Sequence, residues 1–109
     1  MIMNMSRIIQ TTQRTSLGVP ICTGEFVLNQ NSIGKKECHI VSLYTIDQYR
    51  GQGFGEQVLR DIVKYCVDHG IKKITVDDMS DRAYQSHNIY TKCGFKYKIK
   101  GFPEMELKL

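Results

Sequence analysis

The chain alternates between two kinds of apolar pattern, and the first is typical of strands. Residues 7–13, 21–30 and 37–46 are rich in side chains that favour extended structure, and turn-forming Gly, Pro, Asn and Ser lie between these runs. Consecutive strands joined by short turns pair in antiparallel fashion. The first half of the chain therefore predicts an antiparallel meander of three strands.

The second pattern begins after Gly51, where apolar residues recur at helical spacing across residues 58–67. Charged side chains occupy the opposite face, and the oppositely charged Glu56 and Arg60 stand one helical turn apart. Gly70 follows the last apolar position and is a typical helix stop. This segment predicts a long amphipathic helix.

The remaining residues predict one strand, a second helix and two further strands. The strand is expected over residues 71–77, the helix from Ser80 or Asp81 to about Cys93, and the last two strands within the alternating residues 95–109. The predicted order is β-β-β-α-β-α-β-β. It indicates an α/β (α+β) fold, in which two main helices pack on a single mixed, mostly antiparallel sheet.

Length and charge narrow the class of protein. At 109 residues the chain forms one domain, residues 1–109, with room for one apolar core. The 15 Lys and Arg against 11 Asp and Glu give a net charge of +4, which suits an anionic ligand but is too mild to indicate nucleic acid. No apolar run approaches the roughly 18 residues of a membrane span. We therefore expect neither a nucleic-acid partner nor a membrane partner.

The four cysteines are widely spaced, so no two of them form a zinc knuckle or a redox motif, and we expect no metal site. Their apolar or mixed surroundings favour buried thiols in a reducing compartment. The first seven residues lack the uninterrupted apolar segment of a signal peptide. These features predict a cytoplasmic protein.

The candidate binding motif is the glycine-rich stretch Q-Y-R-G-Q-G-F-G-E over residues 48–56, between a predicted strand and the long helix. Glycine adopts positive φ and lets a ligand approach the backbone closely. Free amide groups at the positive end of a helix dipole bind phosphate. The spacing matches neither the G-x-G-x-x-G dinucleotide fingerprint nor the G-K-S/T phosphate loop. The motif predicts a pyrophosphate-bearing ligand, with a glycine-rich turn that binds nothing as the alternative.

A basic stretch, K-Y-K-I-K over residues 96–100, mixes lysines with apolar side chains. Such a mixture suits an RNA-binding surface, and it equally suits an edge strand whose lysines face solvent. We favour the edge strand and keep a small RNA-binding protein as the alternative.

Three stretches together resemble the GNAT acetyltransferase superfamily. They are residues 42–45, 48–55 and 89–95. The superfamily's acetyl-CoA motif, Q/R-x-x-G-x-G/A, and its later Y-x-K-x-G-F element occur here in the same order. The matching positions are Arg50, Gly53 and Gly55 in the first motif and Tyr90, Lys92, Gly94 and Phe95 in the second.

The resemblance implies acetyl-CoA as co-substrate, whose acetyl group passes directly from the thioester to a primary amine through a tetrahedral intermediate. Backbone groups of the strand before the loop would hold the pantetheine arm, and those of the loop would hold the pyrophosphate. The implied cofactor-binding residues are Leu43, Tyr44, Thr45, Arg50, Gly51, Gln52, Gly53, Phe54, Gly55 and Glu56.

The same resemblance implies a catalytic role for Tyr90 as the general acid that protonates the CoA thiolate. Asp78, twelve positions before it, is the candidate base that accepts the amine proton. Asp77, on the other face of the strand, is its rival, and a chain of water molecules is a further alternative. Apart from the motif, Tyr90 would be interpreted as a core tyrosine.

Two departures from the superfamily concern the acceptor side. Members usually carry two further helices near the N-terminus that shape the acceptor pocket, and the cofactor-contacting Asn seven residues before the Tyr is replaced here by Ala83. Residues 76–81 and 88–97 resemble glucosamine-6-phosphate N-acetyltransferases, which are obligate dimers. That resemblance implies a homodimer and an amino sugar phosphate acceptor. The alternatives are a peptide or protein amine as acceptor, and a non-catalytic acyl-CoA-binding module.

Overall fold

The computed structural model describes residues 8–77 and 89–109, which form a single six-stranded sheet and its helices. The strands are β1 (Ile9–Arg14), β2 (Pro20–Gln30), β3 (Lys36–Thr45), β4 (Lys73–Asp77), β5 (Lys96–Tyr97) and β6 (Glu104–Lys108). The helices are α1 (Phe54–Asp68) and α2 (Ile89–Lys92), and a 3-10 turn, Asp47–Tyr49, lies between β3 and α1. The element order is the one that the sequence predicts.

The strand order across the sheet is β1-β2-β3-β4-β6-β5. The first three strands form the predicted antiparallel meander, and β4, β6 and β5 also pair in antiparallel fashion. Among the six described strands, only β3 and β4 run parallel, because α1 carries the chain back across the sheet between them. The mixed, mostly antiparallel sheet predicted from the sequence is thus confirmed.

The parallel pairing of β3 with β4 is short. It joins Cys38–Ile40 to Ile74–Val76, whereas β3 continues beside β2 as far as Thr45. A bulge opposite Glu25 and Phe26 adds one residue to β3 at this point. The last residues of β3 therefore have one edge that β4 does not cover, and the two strands diverge there.

The apolar core lies between α1 and one face of the sheet. Phe26 packs edge-on against the Tyr65 ring, with 5.2 Å between centroids. The helix comes close to β2 because Gly24 lacks a side chain: a Cβ there would stand 2.8 Å from Val58 Cγ1 and 2.9 Å from Ile62 Cδ1. The face turned away from α1 is polar. Its cross-strand pairs are Gln10 with Glu25, Thr12 with Thr23, His39 with Thr75, and Lys73 with Glu106.

One element departs from the sequence prediction, and the predicted start of another lies outside the described residues. The alternation of lysines predicts a strand as far as Lys100, but β5 ends at Tyr97. The reason is a turn at Gly101, which has a φ of +89° and brings β6 back from Glu104 onward, so few residues remain to pair. The predicted start of the second helix at Ser80 or Asp81 lies outside the described residues.

The described helices were also compared with the length and composition of a membrane span. Across residues 8–77 and 89–109, no helix combines the length and the apolar composition that crossing a bilayer requires.

Replacement of Gly24 tests the close approach of α1 to the sheet. We expect Gly24→Val to lower the free energy of unfolding by about 1–3 kcal/mol, because the added side chain overpacks the contact with Val58 and Ile62. Urea unfolding measures this change. Thr23→Val, on the opposite face of the same strand, is the control and should cost less, since it removes only the bond to Thr12. Equal losses for the two variants would contradict this account of the packing.

Candidate functional site

A cavity of about 560 Å³ lies where β3 parts from β4, next to the glycine-rich loop and the first turn of α1. All of the predicted cofactor-binding residues except Gln52 line it. The Gln52 side chain is exposed and donates to the Gln48 carbonyl oxygen at 3.4 Å. Three further lining residues, Tyr49, Ile89 and Lys92, were not among the predicted cofactor-binding residues.

The glycine-rich loop has the backbone geometry that its sequence predicts. Gly51 and Gly53 have φ values of +78° and +87°, and no side chain caps the helix that begins at Phe54. The first intrahelical bond of α1 runs from the Gln57 amide to the Gly53 carbonyl oxygen. The amides of the preceding turn therefore have no partner within the helix, and they form the positive end of its dipole at the cavity.

Arg50 holds this loop against the end of β3. Its Nε donates to the Thr45 carbonyl oxygen at 3.1 Å, and its Nη2 lies 3.2 Å from Asp47 Oδ1. The guanidinium carbon also stands 5.5 Å from the centre of the Tyr44 ring. The three contacts fix the turn between strand and helix, and they engage the Arg50 charge within the loop itself.

The end of β3 forms the opposite wall of the cavity. The Leu43 side chain points toward the helix face, where its Cδ1 lies 3.4 Å from the position of a Gly24 Cβ. Thr45 forms a side-chain hydrogen bond with the Cys22 thiol, and burial raises the pKa of that thiol. Along this stretch the backbone edge that would face β4 has no ladder to it. An extended ligand can pair with such an edge as a neighbouring strand would.

The first turn of α2 closes the cavity on a third side. Ile89 Cδ1 lies 3.5 Å from where a Cβ of Gly55 would stand, an ordinary contact distance, so the start of α2 packs against the start of α1. Ile89 and Lys92 are three positions apart, which places both on the face that meets the cavity. The i, i+3 spacing within the second motif was the available sequence signal. Tyr49 packs edge-on against Phe54, with 5.8 Å between ring centroids.

The predicted catalytic residues are less completely placed. Tyr90 is half-buried, its ring packs edge-on against Phe95 at 5.7 Å, and it is not among the residues that line the cavity. Asp78 lies outside the described residues. Its rival, Asp77, is exposed at the end of β4. The general acid and the general base therefore remain predictions from the resemblance.

In the described part of the chain, the cavity carries one acidic side chain, and the four thiols of the chain lie outside its lining. Glu56 lines it and pairs with Arg60 at 3.8 Å, the pair expected from their helical spacing. Cys22, Cys38 and Cys66 are buried, as expected, and Cys93 is half-buried. A hydrogen bond to Cys66, together with burial, holds the pKa of Cys38 well above its usual value.

Within the described residues, no group of three or more His, Cys, Asp and Glu side chains is arranged to hold a metal ion. The site that the structure offers is thus built from backbone groups and a few charged side chains.

The sequence matches a known family model over most of its length. Residues 11–95 fit the model of the Acetyltransferase (GNAT) family. No curated protein matches the chain significantly.

Solved acetyltransferase structures share the fold. Glucosamine-6-phosphate N-acetyltransferase from Arabidopsis thaliana superposes with a TM-score of 0.72 at 20% identity, covering 84% of this chain and 62% of that one. An acetyltransferase from Bacillus cereus superposes with a TM-score of 0.76 at 19% identity, covering 96% of this chain and 75% of that one. A GNAT family acetyltransferase from Brucella melitensis, in complex with acetyl-CoA, superposes with a TM-score of 0.70 at 15% identity. The match covers 92% of this chain and 57% of that one. The chain thus spans less than two thirds of the Arabidopsis and Brucella proteins.

The reactivity of Cys93 tests the arrangement beside the cavity. Burial raises its pKa, Arg60 lowers it and Glu56 raises it, with a net increase. We therefore expect Cys93 to be alkylated by iodoacetamide several times more slowly than free cysteine at pH 7, with the rate rising as the pH passes the increased pKa. Mass spectrometry follows the singly alkylated protein, and unfolding in urea should expose all four thiols. Reaction at the rate of free cysteine at pH 7 would contradict the burial.

Proposed function

This chain belongs to the Acetyltransferase (GNAT) family, and on that premise we propose that it moves an acetyl group from acetyl-CoA to a primary amine. The neutral amine attacks the thioester carbonyl carbon and gives a tetrahedral oxyanion. Its collapse breaks the carbon–sulfur bond, forms the amide and releases CoA. No covalent enzyme intermediate is required. The protein therefore has to bind the two substrates, orient them and transfer protons.

The observation that carries the proposal is the cavity at the divergence of β3 and β4. The edge of β3 at residues 43–45, which β4 does not cover, suits the amide groups of a pantetheine arm, which would continue the sheet in place of β4. The uncapped amides that follow Gly53, at the positive end of α1, suit a pyrophosphate. The two features adjoin in one cavity, in the order in which CoA carries the two groups. The net charge of +4 also favours the anionic cofactor.

We assign the proton transfers from the resemblance. Tyr90 would donate its phenolic proton to the departing thiolate. Its neighbour Ile89 lines the cavity, which supports a position near the reacting end. Asp78 is the proposed base for the amine proton, with Asp77 and a water chain as its competitors.

For the acceptor we propose an amino sugar phosphate, bound at a site that a homodimer completes. The fold shared with the Arabidopsis glucosamine-6-phosphate N-acetyltransferase supports this choice, and so does the resemblance of residues 88–97. The chain spans 62% of that protein, so a second copy supplying part of the acceptor wall is a consistent arrangement. A peptide or protein amine is the second candidate acceptor. A non-catalytic acyl-CoA-binding module is the second candidate function.

Ligand-induced stabilisation tests the cofactor site. Acetyl-CoA at about 100 times Kd should raise Tm by about 10 °C, because it binds only the folded chain. Gly53→Val should abolish this shift, since a side chain in a left-handed turn distorts the loop. Gly34→Val is the matched control: Gly34 has a φ of +81° in an open turn at the other end of β3, so it carries similar strain away from the cavity. Loss of the shift in both variants would refute a loop-specific site.

Turnover tests the transfer itself. The protein is incubated with acetyl-CoA and a panel of amino sugar phosphates, polyamines and peptides, and CoA release is scored against each amine. Release with an amino sugar phosphate supports the proposal, and release only with peptides favours the second acceptor class. Binding of acetyl-CoA without release on any amine would indicate the non-catalytic module instead.

With the accepted amine, Tyr90→Phe tests the general acid. We expect kcat to fall by about 10²–10⁴-fold while the Kd for CoA stays nearly unchanged, because the hydroxyl acts only on the leaving thiolate. Tyr65→Phe, toward the far end of α1 where the ring stacks on His69, is the matched control. Equal turnover of the wild type and Tyr90→Phe would remove Tyr90 from the mechanism.

A further inference from the structure

The charged side chains that line the cavity differ in whether they have an ion-pair partner. Arg50 is bonded to Thr45 and Asp47 within the loop, and Glu56 is paired with Arg60. Lys92 is exposed and lines the same cavity, and among residues 8–77 and 89–109 no carboxylate lies within 4.0 Å of its ammonium group. Of the three charged side chains that line the cavity, Lys92 is thus the one without an ion pair in the described part of the chain.

The position of Lys92 places this free charge beside the amide-lined turn. Ile89, one helical turn earlier, lies against Gly55, so α2 meets α1 at the first turn of the longer helix. Lys92 lines the same cavity as Glu56, whose carboxylate pairs with Arg60 at 3.8 Å. Lys92 therefore brings a positive charge to the side of the cavity that α2 forms.

The negative charge of the Glu56 carboxylate opposes anion binding at the cavity unless a cation compensates it. It lines the cavity next to the uncapped amides and repels any phosphate bound there, and its partner Arg60 stands 3.8 Å away, too far for a strong charge-assisted bond. The amides at the start of α1 supply only about half an elementary charge. An ammonium group that is not paired elsewhere compensates the carboxylate and leaves the site attractive to anions.

We propose that Lys92 is a specificity-determining residue whose ammonium binds a phosphate of the nucleotide end of CoA. It would make the site select CoA thioesters over thioesters of phosphate-free pantetheine. This inference rests on the proposed cofactor site, and it adds a residue and a discrimination that the glycine-rich loop alone does not provide.

The test compares three ligands and four proteins. CoA, dephospho-CoA and pantetheine are titrated into the wild type, Lys92→Ala, Lys92→Arg and Lys72→Ala, and NMR shift changes report both strong and weak Kd values. Lys72 is an exposed lysine immediately before β4, at the opposite end of the sheet, and serves as the matched control. We expect Lys92→Ala to weaken CoA binding by about fivefold at low salt, an effect that shrinks as salt is added.

The affinities of each variant for the three ligands show whether Lys92 binds a phosphate. Pantetheine affinity should be unchanged in Lys92→Ala, and both Lys92→Arg and Lys72→Ala should bind CoA within about twofold of the wild type. A loss that persists with dephospho-CoA assigns Lys92 to the pyrophosphate, and a loss seen only with CoA assigns it to the 3′-phosphate. Both results support the proposal.

Two results would overturn this inference alone, and a third would overturn it together with the proposed function. Unchanged CoA affinity in Lys92→Ala would show that the ammonium does not reach a phosphate, while the cofactor site itself would stand. An equal loss for CoA and pantetheine would show that Lys92 merely supports α2. If the wild type binds neither CoA nor dephospho-CoA, the proposed function and this inference fail together.

Discussion

The early end of the pairing between β3 and β4 is the constraint on which the rest of the site depends. A parallel ladder that ran on to Thr45 would satisfy every backbone group of β3 and leave no room beside it. Because the ladder stops at Ile40, β4 does not pair with the end of β3 at the place where the chain turns into α1. The cavity, the loop and the helix terminus are thus consequences of one divergence in the sheet.

The packing around that divergence keeps it open. Gly24 lets α1 lie close to β2, so the helix is anchored to the meander rather than to β4, and its first turn remains at the cavity. Arg50 ties the intervening turn to the Thr45 carbonyl group. On the other face, polar pairs such as His39 with Thr75 hold β3 and β4 together where they do pair. The site is therefore held between the packed helix and the paired part of β3 and β4.

The sequence predicted what depends on local pattern and missed what depends on distant pairing. The periodicity of α1, the left-handed glycines and the Glu56–Arg60 pair follow from neighbouring residues, and all are present. The extent of β5 does not, because it depends on where β6 returns. Lys92 was visible in a motif, but its place in the cavity depends on how a four-residue helix packs against another element. Short elements carry too little periodicity to reveal the face they present.

The bulge in β3 also limits how the chain can change its length. Side chains alternate along a strand, and the added residue after Ile40 restores Leu43 to the helix side and Tyr44 to the outer side, opposite Gly24 and Thr23 respectively. A single insertion or deletion between Ile40 and Thr45 would exchange these two faces, moving Leu43 out of the packed layer and Tyr44 into it. Natural length variation in homologous chains should therefore fall in the turns that flank β2 and avoid this stretch, whatever amine each chain modifies.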